Sequence, residues 1–175
     1  MRFQTKRLNC QSLSLNDYAE FEAGREPEWI GFSNPYKHLV EGPSPLRHRI
    51  PRVKKEPEFA EIGLVLAIAD GEIIGSSGFH EFPDENGMIE IGFGIVPEKQ
   101  RQGYGLELLH GMWKAISSRP DVKTLHYTVS PENEASLHII KKLQFNLVGE
   151  QMDDEDGLEL IYELPIKEYL KNFHS

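Results

Sequence analysis

The chain has 175 residues and carries 28 acidic against 19 basic side chains, which gives a formal net charge of −9. This length is typical of one domain, and a chain of this size buries about 70% of the surface that its unfolded form exposes. The negative charge argues against a general affinity for nucleic-acid backbones, because phosphates repel an acidic surface, and it suits a cationic substrate such as an amine.

Other classes are disfavoured by particular features of the sequence. The single cysteine, Cys10, can form no disulfide within the chain and favours a reducing compartment, so we expect a cytoplasmic protein. The longest apolar run, at 64–69, is far shorter than the roughly 20 residues of a membrane helix, so no membrane partner is expected. The basic N-terminus is followed by no apolar stretch that would make it a signal peptide. No cluster of Cys, His or Asp has the spacing of metal ligands, and we predict no metal.

The first sixty residues predict a strand, a helix and a long irregular segment. Residues 5–14 alternate weakly and predict an edge strand, and Asn16 with Asp17 predicts the cap of a helix. Residues 31–60 contain five prolines and a cluster of Arg and Lys side chains. This composition predicts a proline-rich basic loop or lid, or a broken helical excursion, within a single domain spanning 1–175.

From residue 62 the pattern is regular, with alternating apolar strands followed by helical spacing. Asp70-Gly71 is a strong two-residue hairpin turn, so the strands around it belong to an antiparallel meander. The predicted elements are strands at 62–69, 72–80 and 88–96, a helix at 103–118, a strand at 123–130, a helix at 133–143, strands at 145–152 and 158–163 around an acidic turn at 153–157, and a short helix at 165–173. The later helices act as crossovers, so we predict an α+β fold with a mixed, mostly antiparallel sheet of six to seven strands flanked by helices.

One face of the third meander strand combines a carboxylate with glycines. Alternation places Glu90, Gly92 and Gly94 on the face opposite an apolar core face. The glycines expose backbone where another group can approach closely. The alternative is a solvent-facing Glu90 beside a glycine-induced bulge.

A glycine-rich loop follows the same strand and leads into a helix. Its backbone N–H groups can converge, and the helix dipole and Arg101 add positive charge, so the loop predicts an anion site for a phosphate group. Leu106 follows Gly105 where a Walker loop would need lysine, and Leu108 stands where a dinucleotide fingerprint would need glycine. An ordinary helix start is the alternative.

The helix near residue 133 begins with two polar side chains on one face. Asn133 and Ser136 are three residues apart and therefore neighbours at its N-terminus. Alternatively, Asn133 only begins the helix and Ser136 only fills a small space.

These segments together resemble a known family. Gln100-Arg101-Gln102-Gly103-Tyr104-Gly105 is similar to the acyl-CoA pyrophosphate loop of the GNAT superfamily of N-acetyltransferases, and the order of elements is similar to its three-layer αβα fold. Glu90-Ile91-Gly92-Phe93, Asn133-x-x-Ser136 and the opening Thr5-Lys6-Arg7-Leu8 resemble the RimJ/RimL branch. The resemblance covers roughly residues 5–164.

The resemblance implies transfer of the acetyl group of acetyl-CoA to a primary amine, on a protein N-terminus or a small molecule, by direct attack in a ternary complex. Glu90 would be the base, acting directly or through water, and Ser136 would serve the departing thiolate, because Ile140 stands where many relatives have a tyrosine acid. A homodimer is common among such relatives. The implied cofactor-binding residues are Gly94, Ile95, Val96, Gln100, Arg101, Gln102, Gly103, Tyr104, Gly105, Asn133 and Ser136.

Three other functions stay open at this point. The chain could be a CoA-binding or regulatory module with little catalysis, a nucleotide-phosphate-binding protein of another fold, or an interaction protein that docks through residues 31–60. The basic side chains of that segment could recognise the acceptor, pair with the chain's own acidic surface, or help bind the adenosine phosphate of CoA.

Overall fold

The structure, a computed structural model, describes residues 1–42, 44–154 and 157–173. Its contacts divide the chain into two compact units. Unit 1 contains Met1–Phe79 and Phe93–Ala115, and unit 2 contains His80–Gly92 and the chain from Ile116 onward.

The strands form a mixed sheet, and their order along it is β1-β2-β3-β4-β5-β6-β8-β7. The β5–β6 pair is parallel, whereas β1–β2, β2–β3, β3–β4, β6–β8 and β7–β8 are antiparallel. The predicted α+β class is confirmed, and the sheet has eight strands rather than six to seven. The strands are β1 (Arg2–Gln4), β2 (Asn9–Ser12), β3 (Val65–Ala69), β4 (Glu72–Phe79), β5 (Met88–Ile95), β6 (Thr124–Val129), β7 (Asn146–Asp153) and β8 (Gly157–Pro165).

The additional strand arises at the N-terminus, where the prediction of one strand over 5–14 is wrong. A turn interrupts the chain there: the Thr5 N–H donates to the Leu8 carbonyl (2.9 Å), and the Leu8 N–H donates to the Thr5 hydroxyl (3.0 Å). The chain therefore forms the two antiparallel strands β1 and β2, and β1 is the edge strand.

The N-cap of the first helix lies two residues before the predicted cap, Asn16. Ser14 is the N-cap: its hydroxyl accepts from the Asp17 N–H (3.2 Å), and the Asp17 carboxylate accepts from the Ser14 N–H (2.7 Å), which is a capping box. The helices are α1 (Leu15–Glu22), α2 (Leu46–Lys55), α3 (Ala60–Gly63), α4 (Tyr104–Ile116), α5 (Glu134–Lys142) and α6 (Ile166–Phe173). None of the helices in the described ranges is long and apolar enough to cross a bilayer.

The described residues of the proline-rich segment 31–60 form short helices, which is the broken helical excursion that the sequence predicts as the alternative to a loop. It contains α2, with Pro51 inside it, and a 3-10 turn at Pro57–Phe59 that leads into α3. Helix α3 replaces the predicted beginning of the strand at 62, so β3 begins at Val65. The basic side chain of Lys54 pairs with Glu22 (2.8 Å) and that of Arg52 with Glu56 (3.2 Å), which favours pairing with the chain's own acidic groups.

A side-chain clasp ties the start of this segment to unit 1. The Asn34 amide accepts from the His38 N–H (2.9 Å) and donates to the His38 carbonyl (3.0 Å), and His38 Nε2 lies 2.8 Å from the Ser76 hydroxyl on β4. Burial lowers the pKa of His38 to about 4, so the ring is neutral at physiological pH. Residues 34–38 are therefore fixed against the sheet through polar contacts.

The β3–β4 hairpin provides the core of unit 1. Asp70 and Gly71 both have positive φ (51° and 77°), as a two-residue turn requires, and this confirms the predicted turn. Every residue of β3 is buried. Phe79 at the end of β4 packs on Trp113 of α4, with ring centroids 5.8 Å apart and both side chains fully buried. In unit 2, residues 155–156 of the predicted acidic turn lie outside the described residues.

Candidate active site

The loop at 100–105 in unit 1 has the backbone of an anion-binding site. Arg101 and Gly103 have positive φ (60° and 82°), and Gln102 between them does not. Such alternation turns successive N–H groups toward one side, and here the loop leads into the N-terminus of α4. All three residues are exposed. The geometry suits a phosphate group, as the sequence predicts.

Two glutamine side chains fold this loop onto its own chain. Gln100 Nε2 donates to the Ile95 carbonyl (2.8 Å), and Gln102 Nε2 donates to the Glu98 carbonyl (3.2 Å). Their amide side chains are therefore engaged, and their predicted part in cofactor binding rests on their backbone.

A brace from the N-terminus supports the loop. Glu107 of α4 accepts from Arg7 Nε (2.6 Å) and from the Thr5 hydroxyl (2.6 Å), and Arg7 also donates to the Gln102 carbonyl (2.9 Å). The Arg7 guanidinium lies 4.2 Å from the ring centroid of Tyr104. Sequence reasoning missed this brace because its partners are about a hundred residues apart and share no local pattern.

We expect the brace to make stability depend on pH. Burial acts to raise the pKa of Glu107, but hydrogen bonds from Thr5 and Arg7 and the Arg7 charge outweigh it, and the pKa is lowered. A carboxyl group of this kind stabilises the fold above its unfolded pKa, about 4.3, and the stabilisation is lost as pH falls through the folded pKa. Glu107→Gln should cost about 2 kcal/mol at pH 7, measured by thermal melts, and less below about pH 4.

The matched control for this prediction is Glu58→Gln, at an exposed position of the same unit. It should unfold with the wild-type midpoint throughout. A Glu107→Gln deficit that stays constant between pH 7 and 3 would contradict the assignment.

The end of β5 carries the predicted pantetheine-binding residues. Gly94 is exposed, and a Cβ placed there would meet no heavy atom within 4 Å. The Val96 N–H donates to the Ile74 carbonyl (2.9 Å), and the Ile95 carbonyl accepts from the Gln100 side-chain amide. The N–H of Val96 is thus engaged within the sheet, and Gly94 offers the open surface of this stretch.

Glu90 lies in unit 2 within a cluster of side chains from three positions of the chain. Its Oε1 accepts from the Thr128 hydroxyl of β6 (2.6 Å) and lies 3.6 Å from Nδ1 of His80. The Glu90 side chain is 25% exposed and that of His80 is 42% exposed. Glu90 is therefore neither a solvated surface group nor a buried one, and it has specific partners.

These partners decide the ionisation of Glu90. Burial acts to raise the pKa of Glu90, whereas its contacts with His80 and Thr128 and the charges of His80 and His126 act to lower it, and the net shift is downward. The carboxylate is consequently charged at neutral pH.

A second histidine lies one strand away but has a different environment. In the parallel pair β5–β6, Glu90 lies opposite His126. In the antiparallel pair β6–β8, His126 lies opposite Glu163. His126 is buried, and its Nδ1 lies 3.1 Å from Glu163 Oε1. This ring is committed to Glu163.

The start of α5 brings together the other two predicted residues of unit 2. Asn133 is the N-cap, and its side-chain oxygen accepts from the Ser136 N–H (3.1 Å), so Asn133 does begin the helix. The buried Ser136 hydroxyl accepts from the Tyr127 hydroxyl of β6 at 3.4 Å. Burial raises the pKa of Tyr127 to about 12, which keeps it a hydrogen-bond donor. Tyr127 was missed because its sequence neighbours indicate only a buried strand.

The predicted site residues thus fall into both units. Residues 94–105 belong to unit 1, and Glu90, Asn133 and Ser136 belong to unit 2. Burial raises the pKa of the buried Cys10 thiol to about 12, which makes it a poor nucleophile. Within the described ranges no group of three His, Cys, Asp or Glu side chains comes together as metal ligands would.

Comparisons with known proteins identify the family of the chain. The family model described as acetyltransferase (GNAT) domain matches residues 7–146, which is most of the chain. Two curated relatives from Bacillus subtilis, the uncharacterized N-acetyltransferases YjdG and YoaA, are 38% and 31% identical over 76 and 78 residues. These alignments span 45% and 44% of the relatives' lengths.

Solved structures resemble the fold over almost its whole length. RimL, a ribosomal L7/L12 alpha-N-protein acetyltransferase in complex with coenzyme A, has a TM-score of 0.68 at 14% identity, covering 94% of this chain and 98% of its own. A chimera of the spermidine N-acetyltransferase SpeG from Vibrio cholerae and hSSAT has the same TM-score and identity, with coverages of 94% and 99%. The family match, supported by these likenesses in fold, shows that the chain belongs to the GNAT acetyltransferase family.

Proposed function

We propose that this protein is an acetyl-CoA-dependent N-acetyltransferase that acetylates a primary amine by direct attack in a ternary complex. The observation that carries the proposal is the loop at 100–105, whose alternating positive φ angles at Arg101 and Gly103 lead into α4 in a chain of this family. The backbone of these residues also supports an anion site on physical grounds.

Each group of predicted donor-binding residues has a proposed role. The loop backbone, with Arg101, suits the pyrophosphate of CoA. The open surface at Gly94 suits the pantetheine arm, whereas the Val96 N–H and the Ile95 carbonyl are engaged within the protein. We assign Asn133 and Ser136 to the thioester end.

The acceptor amine must lose a proton before it attacks. A lysine amine has a pKa of about 10.4 and a terminal amine about 8, so both are largely protonated at neutral pH. The ionised Glu90 provides the negative charge that draws this proton away. The amine nitrogen then bonds to the thioester carbon, and the sulfur leaves with its electron pair.

We assign the protonation of the leaving thiolate to Ser136 or to a water that it orients. The Tyr127 hydroxyl donates to Ser136 Oγ, so the proton of Ser136 is free to point elsewhere. This arrangement compensates for Ile140, a buried side chain at the position where many relatives carry a tyrosine.

For the acceptor we propose a cationic amine, either a small polyamine or a protein N-terminus. The net charge of −9 favours a cation. Solved structures of similar fold include both a spermidine acetyltransferase and RimL, and the segments around Glu90 and Asn133 support a RimJ/RimL-like branch. We further propose that residues 1–175 form one acetyltransferase domain, with the segment at 31–60 on its acceptor side.

The experiment that tests the donor half is a thermal-shift titration with acetyl-CoA, CoA and ATP. A ligand at about 100 times its dissociation constant stabilises the fold by roughly 2.7 kcal/mol, which corresponds to several degrees. Acetyl-CoA and CoA should raise the midpoint, and ATP should not. No shift with either CoA species would overturn the proposal.

A second candidate is a CoA-binding module without catalysis, which the tyrosine's replacement by Ile140 favours. It predicts the same thermal shifts but no release of CoA thiol when spermidine or a peptide with a free N-terminus is added. Amine-dependent thiol release separates the enzyme from the module.

The oligomeric state is a separate proposal. The edge strand β7 exposes the apolar side chains of Leu147 (57%), Val148 (54%) and Met152 (74%), which is costly for an isolated strand. We propose a homodimer that covers this edge, which would show twice the chain mass in light scattering. Met152→Lys should leave a monomer monomeric and weaken a dimer that uses this edge.

A further inference from the structure

We infer that His80 is the group that accepts the proton of the acceptor amine, and that Glu90 is the positioning residue that acts through it. The inference rests on the proposed function and names the atom that does the work at the same site. It is carried by the geometry of His80, Glu90 and Gly92.

The orientation of the ring assigns its two nitrogens. Nδ1 of His80 faces Glu90 Oε1 at 3.6 Å. A carboxylate on that side favours the proton on Nδ1 and stabilises the ring when it becomes an imidazolium. Nε2 therefore carries the lone pair and points away from Glu90.

Gly92 makes room for that lone pair. A Cβ on Gly92 would lie 2.9 Å from His80 Nε2, closer than a side chain and a ring atom can pack. Gly92 shares the face of β5 that carries Glu90. The glycine thus lets Nε2 lie close to β5, on the strand face that carries Glu90.

Exposure and partners distinguish His80 from Glu90 as the proton acceptor. Glu90 Oε1 is occupied by the Thr128 hydroxyl, and the side chain is 25% exposed. His80 is 42% exposed and can exchange a proton with solvent after each turnover. An imidazole is also the side chain most often used as a general base, whereas the lowered pKa of Glu90 makes that carboxylate a weaker proton acceptor.

The amine gives up a proton to His80 before it takes the acetyl group. The N–H bond of the ammonium breaks as Nε2–H forms, the amine lone pair makes the N–C bond, and the C–S bond breaks with its electrons on sulfur. The nitrogen loses its second proton as the C–S bond breaks, and the thiolate gains one proton through Ser136, which is reprotonated in the same step, or through water. The imidazolium, held by Glu90, returns its proton to solvent.

Several other charged or titratable groups surround the His80 ring. Glu90 comes from β5 and His126 from β6, where it is bound to Glu163 of β8, and Glu81 follows His80 in the chain. His126 gives a matched control, because it also lies beside Glu90 in the sheet register but is buried.

The test compares wild type, His80→Ala, Gly92→Ala and His126→Gln with acetyl-CoA and either spermidine or a peptide with a free N-terminus, following thiol release from pH 5 to 9. His80→Ala should lower kcat about 10²-fold, and added imidazole should restore at least part of the rate. It should also be the one variant among those compared that loses the acidic limb, the fall of kcat toward low pH. Gly92→Ala should lower kcat because it displaces the ring. His126→Gln should keep the limb, and its kcat should fall far less than that of His80→Ala.

Folding is checked separately by the thermal shift with CoA, which every variant should retain. A His80→Ala variant with wild-type kcat overturns the inference, as does one that loses kcat while keeping the limb and ignoring imidazole. The titration of the acceptor itself is common to all variants and cancels in the comparison. If the wild type releases no thiol with either amine, the proposed function fails and this inference with it; if the wild type is active, the variants judge the inference alone.

Discussion

Glu90→Gln should lower kcat for amine acetylation by about 10²- to 10³-fold while acetyl-CoA still binds. The change keeps the shape of the side chain and its hydrogen bond from Thr128, but it removes the charge that faces His80. The amine is then left with a weaker route for its proton, and the deficit should be largest below the pKa of the acceptor. Thiol release under saturating acetyl-CoA measures it.

The matched control is Glu163→Gln. Glu163 lies on β8, two strands from Glu90, and is aligned with Glu90 through His126 in the sheet register. It should keep kcat within about threefold, which is less than 1 kcal/mol in the barrier. If both variants lose activity equally, general acidity of this face rather than Glu90 itself supports turnover. If Glu90→Gln loses acetyl-CoA binding as well, Glu90 does not act in the way proposed.

Gly103→Glu should abolish the stabilisation by acetyl-CoA, about 2.7 kcal/mol at 100 times the dissociation constant. Gly103 has φ of 82°, which L side chains rarely adopt, and a Cβ there would lie 3.4 Å from an Arg7 nitrogen. The glutamate also places a negative charge where the pyrophosphate is proposed to bind. Strain and repulsion act in the same direction.

Gly24→Glu separates these effects from a general loss of stability. Gly24 has a similar φ of 72° with nothing within 4 Å of its Cβ position, and it lies just beyond α1 rather than in the loop. This variant should melt at a lower temperature than the wild type but show the full shift with acetyl-CoA. A Gly103→Glu variant that still responds to acetyl-CoA would remove the loop from the donor site.

Local patterns predicted the central strands well. Alternation and the Asp70-Gly71 turn place β4 and β5 within one residue of their predicted ends, because strand periodicity and turn chemistry are properties of neighbouring residues. The segment at 31–60 was harder. Pro51 suggests a break, yet Leu46 and Val53, seven residues apart and both buried, mark the apolar face of α2.

The site shows the same division between local and distant information. Glu90, Ser136 and the loop at 100–105 were predicted because each belongs to a short motif. Thr128 reaches Glu90 through the pairing of β5 with β6, and Arg7 reaches the loop from the N-terminal part of the chain, 95 residues away in sequence. These contacts depend on strand register and tertiary packing, which no local pattern specifies. The capping box at Ser14 and Asp17 differs from these contacts because it is a local motif whose spacing is visible in the sequence. The prediction nevertheless placed the cap two residues too late.

The central claim is direct acetyl transfer to an amine, and isotope-labelled acetyl-CoA tests it most directly. The protein is mixed with labelled acetyl-CoA and spermidine or a peptide with a free N-terminus, and mass spectrometry follows the label on the amine, on CoA and on the protein. Label appearing on the amine nitrogen in step with CoA release, with none accumulating on the protein, is the predicted result. Label retained by acetyl-CoA despite tight binding, or passed first to a side chain of the protein, would contradict the account.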